Sequence, residues 1–374
     1  MNRSCPDHQT EFRMTETAKK LTRPVFICGP SRSGTTLMSW TFRNQINIAF
    51  VDETHYFDHL RKAYSSRLDR PLTESELDEF ETYFFETMWT HYRPAHFGKN
   101  ALYNRIDPAV VRQRCLDLGG RADDFFTAFC LEYHAGCGGL GWGEKTPRHV
   151  FLIDEILEVY PDAAIVCMIR DPRAVVASFK DWHKNKIVKD DQGVVTHKAP
   201  QRKRIERIFH PLTISSLVKG AFRAAQKSVE KHGSENVRIL RFEDLIESPK
   251  EVLTDLANWL GIDPSQIDPA NMPVSNSSYA KSGEKESKGM NPEAISRWRK
   301  ALSPVQIRVV EKATSKMMAD AGYELTNIKA SPFAMAVCYA RFLPSATRAI
   351  LASRRRTGNL PAFVFKRVRM FLRP

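Results

Sequence analysis

The sequence lacks the patterns that mark secreted and membrane-spanning proteins. No two of its seven cysteines form a CxxC pair, and no apolar run approaches the ~20 residues that a helix needs to cross a bilayer. Residues 1–20 are polar and contain no apolar stretch of the kind found in a secretory signal peptide. These absences argue against a disulfide framework and against a membrane anchor. We therefore expect reduced thiols and a cytoplasmic location.

Acidic side chains are missing from the C-terminal tail. Ten of the 56 Lys and Arg residues lie between residues 325 and 374, whereas none of the 43 Asp and Glu residues does. The preceding 324 residues therefore account for only +3 of the formal net charge of +13. Because the basic character belongs mostly to this tail, the composition argues against a protein that binds nucleic acid over its whole surface, and we expect no nucleic-acid partner.

The same tail, residues 326–374, alternates aromatic and aliphatic side chains with arginine at roughly helical spacing. A basic amphipathic segment without acids is typical of an element that lies on an anionic membrane surface. The alternative is a pair of helices that pack on the domain and leave their arginines in water. Both hypotheses stay open at this point.

The glycine-rich stretch GPSRSGTT, residues 29–36, lacks the lysine of a nucleotide-binding P-loop. In the Walker A pattern GxxxxGK[ST] a lysine follows the second glycine, but here that position is Thr35. The stretch nevertheless follows an apolar strand pattern and precedes a helical one, which is where backbone N–H groups meet anions. The N–H groups expected to face an anion are those of Ser33, Gly34, Thr35 and Thr36.

A magnesium-binding aspartate is also missing from its usual place. In P-loop NTPases this aspartate closes a hydrophobic strand, whereas the strand pattern AAIVCMIR ends here with Arg170. An arginine there suits a second anion, and Ser178 in the following helical pattern can donate a hydrogen bond to it. Arg32 adds a positive charge near the first anion. The sequence therefore predicts a nucleotide with phosphate groups at two places and no required metal.

Strand and helix patterns alternate through most of the chain, which predicts an α/β, P-loop-like three-layer fold with a central parallel sheet flanked by helices. The glycine-rich segment GCGGLGWG, residues 136–143, is predicted to be flexible. The predicted divisions are a polar, disordered N-terminus at 1–22, a domain at 23–325 with a helical insert at about 60–140 and a mobile loop at about 184–210, and the tail at 326–374.

Taken together, the two anion-binding motifs resemble those of the sulfotransferases that use 3′-phosphoadenosine 5′-phosphosulfate (PAPS). The stretch GPSRSGTT matches their 5′-phosphosulfate loop, and Arg170 with Ser178 matches their 3′-phosphate motif. Further markers are RFEDL at 241–245, WLGI at 259–262, SNSSY at 275–279, Lys288-Gly289 and RWR at 297–299. The resemblance extends from about Arg23 to about Tyr323.

This resemblance implies a role for each motif. The loop N–H groups and Arg32 would bind the 5′-phosphosulfate, and Arg170 with Ser178 would bind the 3′-phosphate that distinguishes PAPS from ATP. Lys288 and Gly289 would belong to a late loop that closes over the nucleotide. PAPS would thus be the co-substrate, and no metal would be required.

The acceptor side resembles the glycan sulfotransferases in two short segments. ETHYFD resembles their E-x-H-[FY]-F-D segment, in which Glu53 would be the catalytic base. EKTP resembles the segment that contributes their catalytic lysine, here Lys145. Lys145 and Arg32 would stabilise the charge on the leaving phosphate. His55 would orient Glu53 or bind the acceptor, or else it is a packed structural histidine.

The implied activity is the transfer of a sulfuryl group from PAPS to the hydroxyl, or else the amine, of a glycan, glycolipid or metabolite. Two other functions stay open at the level of the sequence. A P-loop kinase or NTPase would bind ATP with Mg²⁺, although the Walker lysine is missing. A non-catalytic module would bind PAPS, or its product 3′-phosphoadenosine 5′-phosphate (PAP), without transferring anything.

Overall fold

Seven strands form two sheets in the part of the chain that the structure describes. They are, in chain order, β1 Val25–Cys28, β2 Ile48–Asp52, β3 Gly141–Lys145, β4 Ala164–Ile169, β5 Val188–Lys189, β6 Val195–Thr196 and β7 Val237–Arg241. Five strands pair in parallel in the order β2-β3-β1-β4-β7, and β5 pairs with β6 in the antiparallel sense. The computed structural model describes residues 21–88, 106–181, 188–189, 195–196, 209–271 and 290–348.

Helices connect the strands of the larger sheet. The α-helices in the described ranges are α1 Thr35–Thr41, α2 Arg61–Ala63, α3 Glu74–Thr82, α4 Pro108–Leu118, α5 Ala122–Cys137, α6 Ile153–Val159, α7 Pro172–Asp181, α8 Pro211–His232, α9 Phe242–Glu247, α10 Pro249–Leu260, α11 Glu293–Ser296, α12 Trp298–Ala301, α13 Pro304–Asp320 and α14 Pro332–Ala340. Short π-helical segments are Phe42–Ile46, Tyr56–Leu60 and Tyr83–Thr87, and 3-10 helices are Pro147–Phe151, Pro264–Gln266 and Pro269–Asn271. Within these ranges no helix combines the length and the apolar character needed to cross a membrane.

Neighbouring residues of the central strand β1 face opposite layers of helices. Phe26 and Cys28 lie in one core with side chains of α3, α4, α5 and α6, whereas Val25 and Ile27 lie in a second core with side chains of α1, α9 and α10. All four residues are completely buried, which explains why this strand is a continuous apolar run in the sequence. The predicted three-layer α/β fold with a central parallel sheet is confirmed.

The segment predicted to be flexible ends in a strand of this sheet. Gly141–Lys145 forms β3, which pairs with β1 on one side and with β2 on the other. A Cβ atom at Gly143 would lie 2.5 Å from the ring of Phe50 and 2.6 Å from the carbonyl oxygen of Val25. Glycine is used here to let neighbouring strands approach closely, and the prediction of flexibility for residues 141–143 is wrong.

Parallel pairing brings the carboxyl ends of the five strands to one edge of the sheet. Lys145, the last residue of β3, stands opposite Ile27 of β1 and Asp52 of β2. The residues that follow the strands therefore converge at this edge, which is where parallel α/β sheets bind ligands. They are Gly29 after β1, Glu53 after β2, Thr146 after β3, Arg170 after β4 and Phe242 after β7.

The structure describes parts of each predicted division. Residues 60–88 and 106–137, in the predicted insert, are mostly helical. The first part of the tail packs on the domain, where the N–H and the hydroxyl of Thr326 both donate to Glu311 Oε1 at 2.8 Å. Residues 1–20, most of the loop at 184–210 and the tail beyond residue 348 lie outside the described residues. The division of the chain therefore stays a prediction.

We expect Gly143→Ala to lower the free energy of unfolding by about 3 kcal/mol, because the added methyl group overlaps a ring and a backbone carbonyl inside the sheet. The control is Gly261→Ala, whose Cβ atom would meet nothing within 4 Å and whose φ of 70° and ψ of 29° lie in the left-handed region. That backbone conformation should cost about 1 kcal/mol. Urea unfolding measures both values, and equal losses would contradict the close packing of β3.

Candidate active site

The glycine-rich loop, residues 29–36, turns tightly between β1 and α1. Gly29 has a φ of 138° and Gly34 a φ of 91°, values that side-chain-bearing residues rarely adopt. A Cβ atom at Gly29 would overlap the carbonyl of Met168, and one at Gly34 would overlap the ring of Phe242. Both positions therefore require glycine. The sequence analysis named RFEDL at 241–245 as a family marker but gave no role to Phe242, the residue after β7 that shapes this loop.

The loop uses some of its polar groups internally and leaves others for a ligand. The N–H of Ser33 donates to the carbonyl oxygen of Pro30 at 3.1 Å and closes the turn. The hydroxyl oxygen of Ser33 is buried and has no hydrogen-bond partner among the described residues. Gly34, Thr35 and Thr36 stand at the start of α1, where N–H groups lack intrahelical acceptors. The loop thus presents one hydroxyl and several N–H groups.

Three of the predicted nucleotide-binding residues are in contact at this loop. Arg32 Nε donates to Ser178 Oγ at 3.0 Å, and a terminal nitrogen of Arg170 donates to the carbonyl oxygen of Arg32 at 3.2 Å. Arg170 also donates to the carbonyl oxygen of Ala294 at 2.7 Å, and its guanidinium carbon lies 4.0 Å from the centre of the Phe242 ring. Two guanidinium groups therefore stand at the sheet edge between the loop and α7.

The predicted base and the predicted catalytic lysine are in direct contact. Lys145 Nζ donates to Glu53 Oε1 at 2.6 Å and lies 3.4 Å from Asp52 Oδ1. The side chain of Lys145 is fully buried, whereas that of Glu53 is 28% exposed. The ammonium group therefore lies inside the protein, and one of its two carboxylate partners reaches the surface of the site.

The turn that carries Glu53 has an unusual backbone. Glu53 has a φ of 46° and His55 a φ of 53°, so two residues with side chains adopt the left-handed region. Several hydrogen bonds hold this turn: the N–H of Glu53 donates to the carbonyl oxygen of Lys145 at 2.6 Å, and the hydroxyl of Tyr83 donates to the carbonyl oxygen of Thr54 at 2.8 Å. Strain of this kind persists only where surrounding contacts enforce it.

Glu144 adds further contacts to this turn, and the sequence analysis did not single it out. Its Oε1 accepts hydrogen bonds from the N–H of Thr54 at 3.1 Å and from the hydroxyl of Thr54 at 2.9 Å. Burial raises the pKa of this fully buried carboxyl. The nearby His149, whose Nδ1 lies 3.0 Å from Oε2, and the hydroxyls of Thr54 and Thr146 outweigh burial, so the pKa of Glu144 lies below its ordinary value.

A second group of polar side chains surrounds Asp58. His55 Nδ1 lies 3.0 Å from Asp58 Oδ1, the rings of His55 and His59 stack with centroids 5.2 Å apart, and Arg148 Nε lies 3.3 Å from Asp58 Oδ2. Burial raises the pKa of Asp58, but the hydrogen bond from His55 and the charges of neighbouring histidines lower it to about 2. Asp58 thus fixes the side chain of His55, the last residue of the turn that carries Glu53.

This group also contains possible metal ligands. His55, Asp58 and His59 offer atoms that lie within 4.8 Å of one another, and no other such group occurs in the described ranges. However, the guanidinium of Arg148 already neutralises the carboxylate that would bind the cation. Of the remaining predicted residues, Lys288 and Gly289 lie outside the described residues.

Comparison with known proteins gives one family and one curated relative. A model of the sulfotransferase family matches residues 24–266. The nodulation protein NoeE of Sinorhizobium fredii (strain NBRC 101917 / NGR234) is 24% identical over 241 residues, which cover 61% of this chain and 57% of NoeE. The chain therefore matches less than two thirds of the length of that relative.

Solved structures with some similarity include two sulfotransferase domains. That of the Synechococcus PCC 7002 olefin synthase has a TM-score of 0.49 and 16% sequence identity, and the match covers 84% of this chain and 99% of the domain. That of the curacin biosynthetic pathway has a TM-score of 0.47 and 14% identity, and the match covers 82% of this chain and all of the domain.

The low pKa of Asp58 predicts a pH-dependent contribution to stability. Because the pKa is about 2 in the folded protein and 3.8 in its ordinary state, the contribution is present above pH ~4 and disappears as the pH falls towards about 2. We expect Asp58→Asn to lower the free energy of unfolding by about 2 kcal/mol at neutral pH.

Denaturant unfolding from pH 7 to pH 2 measures this difference, with the exposed Asp69→Asn as the matched control. The gap between wild type and Asp58→Asn should close between pH ~4 and about 2. A gap that stays constant over this range would contradict the ion pairs around Asp58.

Proposed function

The chain belongs to the sulfotransferase family, whose model matches residues 24–266, and we propose that it transfers a sulfuryl group from PAPS to an acceptor hydroxyl. The transfer would be direct and in line, without a covalent enzyme intermediate, and would release PAP. The contact of 2.6 Å between Lys145 Nζ and Glu53 Oε1 supports this proposal best. It sets a base and a cation side by side at the sheet edge that also carries the glycine-rich loop.

The loop suits the phosphosulfate end of PAPS. Gly29 and Gly34 let the loop turn tightly against the carbonyl of Met168 and the ring of Phe242, and the buried hydroxyl of Ser33 is available to donate a hydrogen bond. The N–H groups of Thr35 and Thr36 at the start of α1 would face the same anion. When bound, PAPS supplies the activated sulfuryl group.

Arg170 and Ser178 would bind the 3′-phosphate. Both residues contact Arg32: Arg170 donates to the carbonyl oxygen of Arg32, and Ser178 accepts from Arg32 Nε. One nucleotide could therefore reach all three side chains. The guanidinium of Arg170 is held by the carbonyl oxygen of Ala294 and by the ring of Phe242, which restricts its motion before a ligand arrives. Pre-positioned donors lower the entropic cost of binding. Lys288 and Gly289 remain predicted contacts to the nucleotide.

Glu53 would take the proton of the acceptor hydroxyl. Its partly exposed carboxylate can meet an acceptor that arrives from solvent, while the buried ammonium of Lys145 stays inside. Lys145 and Arg32 would stabilise the negative charge that develops on the leaving phosphate oxygen. His55, which Asp58 fixes at 3.0 Å, would orient the turn or contact the acceptor.

The reaction would require no metal. A transferred sulfuryl group carries less negative charge than a transferred phosphoryl group, whose charge kinases neutralise with Mg²⁺. The acceptor would be a glycan, a glycolipid or a metabolite, and an amine is the alternative to a hydroxyl. Support for a glycan comes from the segment ETHYFD, which resembles that of the glycan sulfotransferases. The cytoplasmic location stays a prediction.

The choice of nucleotide tests this proposal against a kinase. In calorimetric titrations with EDTA present, PAP should bind, and ADP, which lacks the 3′-phosphate, should bind at least about tenfold more weakly. Arg170→Ala should weaken PAP binding by about 10- to 100-fold, because it removes charge-assisted hydrogen bonds. The control Arg112→Ala removes an arginine of α4 and should leave PAP binding unchanged. A preference for Mg²⁺–ATP over PAP would overturn the proposal in favour of a kinase or NTPase.

The role of Glu53 separates an enzyme from a binding module. With radiolabelled PAPS and a panel of hydroxyl-bearing glycans, glycolipids and metabolites, wild type should transfer label to at least one acceptor. Glu53→Gln should lower the turnover number by about 100- to 10,000-fold, as expected for loss of a general base, with PAP affinity retained. Glu230→Gln on α8 is the control. PAP binding without transfer by wild type to any acceptor would favour the non-catalytic module.

A further inference from the structure

The described part of the tail carries an exposed apolar surface. Helix α14 and the helical residues 342–348 follow one another, and the bonds from Arg341 N to Val337 O at 3.1 Å and from Ser345 N to Arg341 O at 3.2 Å continue the helical pattern through their junction. Phe333 is 79% exposed, Tyr339 39% and Leu343 70%. We call these three side chains the apolar stripe.

The opposite side of these helices is attached to the domain. His210 at the start of α8 contacts the carbonyl oxygen of Cys338 through Nε2 at 3.0 Å, and its ring centroid lies 5.3 Å from that of Phe342. Ser345, one turn further, is buried. Cys338, Phe342 and Ser345 are four and three residues apart, which is the spacing of residues on one face of a helix. The apolar stripe is therefore held in a fixed orientation that faces away from the domain.

Positive charges lie close to the apolar stripe in the sequence. Lys329, Arg341 and Arg348 are exposed, and α14 itself, PFAMAVCYA, contains no charged residue. Seven further Lys and Arg residues, and no acid, follow in the sequence between residues 349 and 374. An uncharged apolar face of a protein partner would gain nothing from this excess of cations, whereas a surface of anionic phosphates complements it.

We propose that the apolar stripe docks on an anionic phospholipid surface. Phe333, Tyr339 and Leu343 would enter the boundary between headgroups and acyl chains, and the flanking cations would contact lipid phosphates. The helices would lie in the plane of the membrane surface, attached to the domain through the face that contacts His210. Docking does not depend on the proposed sulfuryl transfer, and it can be tested when no acceptor is known.

Vesicle flotation of the full chain tests this proposal. Wild type should float with phosphatidylcholine vesicles that contain phosphatidylglycerol, and should bind at least about tenfold less to vesicles of phosphatidylcholine alone or at high salt. The double variant Phe333→Glu/Leu343→Glu should bind the anionic vesicles at least about tenfold more weakly than wild type. Thermal unfolding and PAP titration of the same samples check that the domain is intact.

The matched control is Val110→Glu/Leu118→Glu, which adds the same two charges at exposed apolar positions of α4, each 46% exposed. This control should bind vesicles as wild type does. Equal binding by the two double variants would overturn the proposal, and so would the failure of wild type to float. A wild-type dimer in analytical ultracentrifugation that only the Phe333→Glu/Leu343→Glu variant loses, without vesicle binding, would instead assign the stripe to a second copy of the chain.

Discussion

The buried carboxylate of Glu144 is the group on which the proposed catalytic edge of the sheet depends. A carboxylate that stays ionised inside a protein must be surrounded by donors. Two of these donors are the N–H and hydroxyl of Thr54, the middle residue of the turn that carries Glu53 and His55. The hydrogen bonds to the buried Glu144 carboxylate thus hold residues 53–55 in their unusual conformation. This conformation in turn positions the carboxylate of Glu53, the proposed base.

The proposed nucleotide site depends on packing, whereas the proposed acceptor site depends on charge. One ring, that of Phe242, fills the space that a Cβ atom at Gly34 would need and lies under the guanidinium of Arg170. The proposed sites for the two ends of PAPS are therefore built on the same side chain. This arrangement follows from the parallel pairing of β4 with β7, which sets Phe242 beside the end of the strand that precedes Arg170.

The parts that the sequence predicted are those with a local pattern. Apolar runs predicted strands β1 and β4 of the large sheet. The two motifs predicted residues that do meet, since Arg32 contacts both Arg170 and Ser178. Gly141 and Gly143 were wrongly predicted to be flexible, because the same residue that loosens a loop also lets strands approach closely. The role of Glu144 depends on a partner ninety residues away, which no local pattern encodes.

The burial of Lys145 explains why two carboxylates stand at the end of β2. An ammonium group without an anion would be strongly unfavourable in this fully buried position. Lys145 Nζ lies 2.6 Å from Glu53 Oε1 and 3.4 Å from Oδ1 of Asp52, the last residue of β2. Because Asp52 remains when the charge of Glu53 is removed, the ammonium keeps an ionic partner. A neutral residue at position 53 therefore removes the proposed base and leaves the charge of the lysine in place, so the two roles can be separated experimentally.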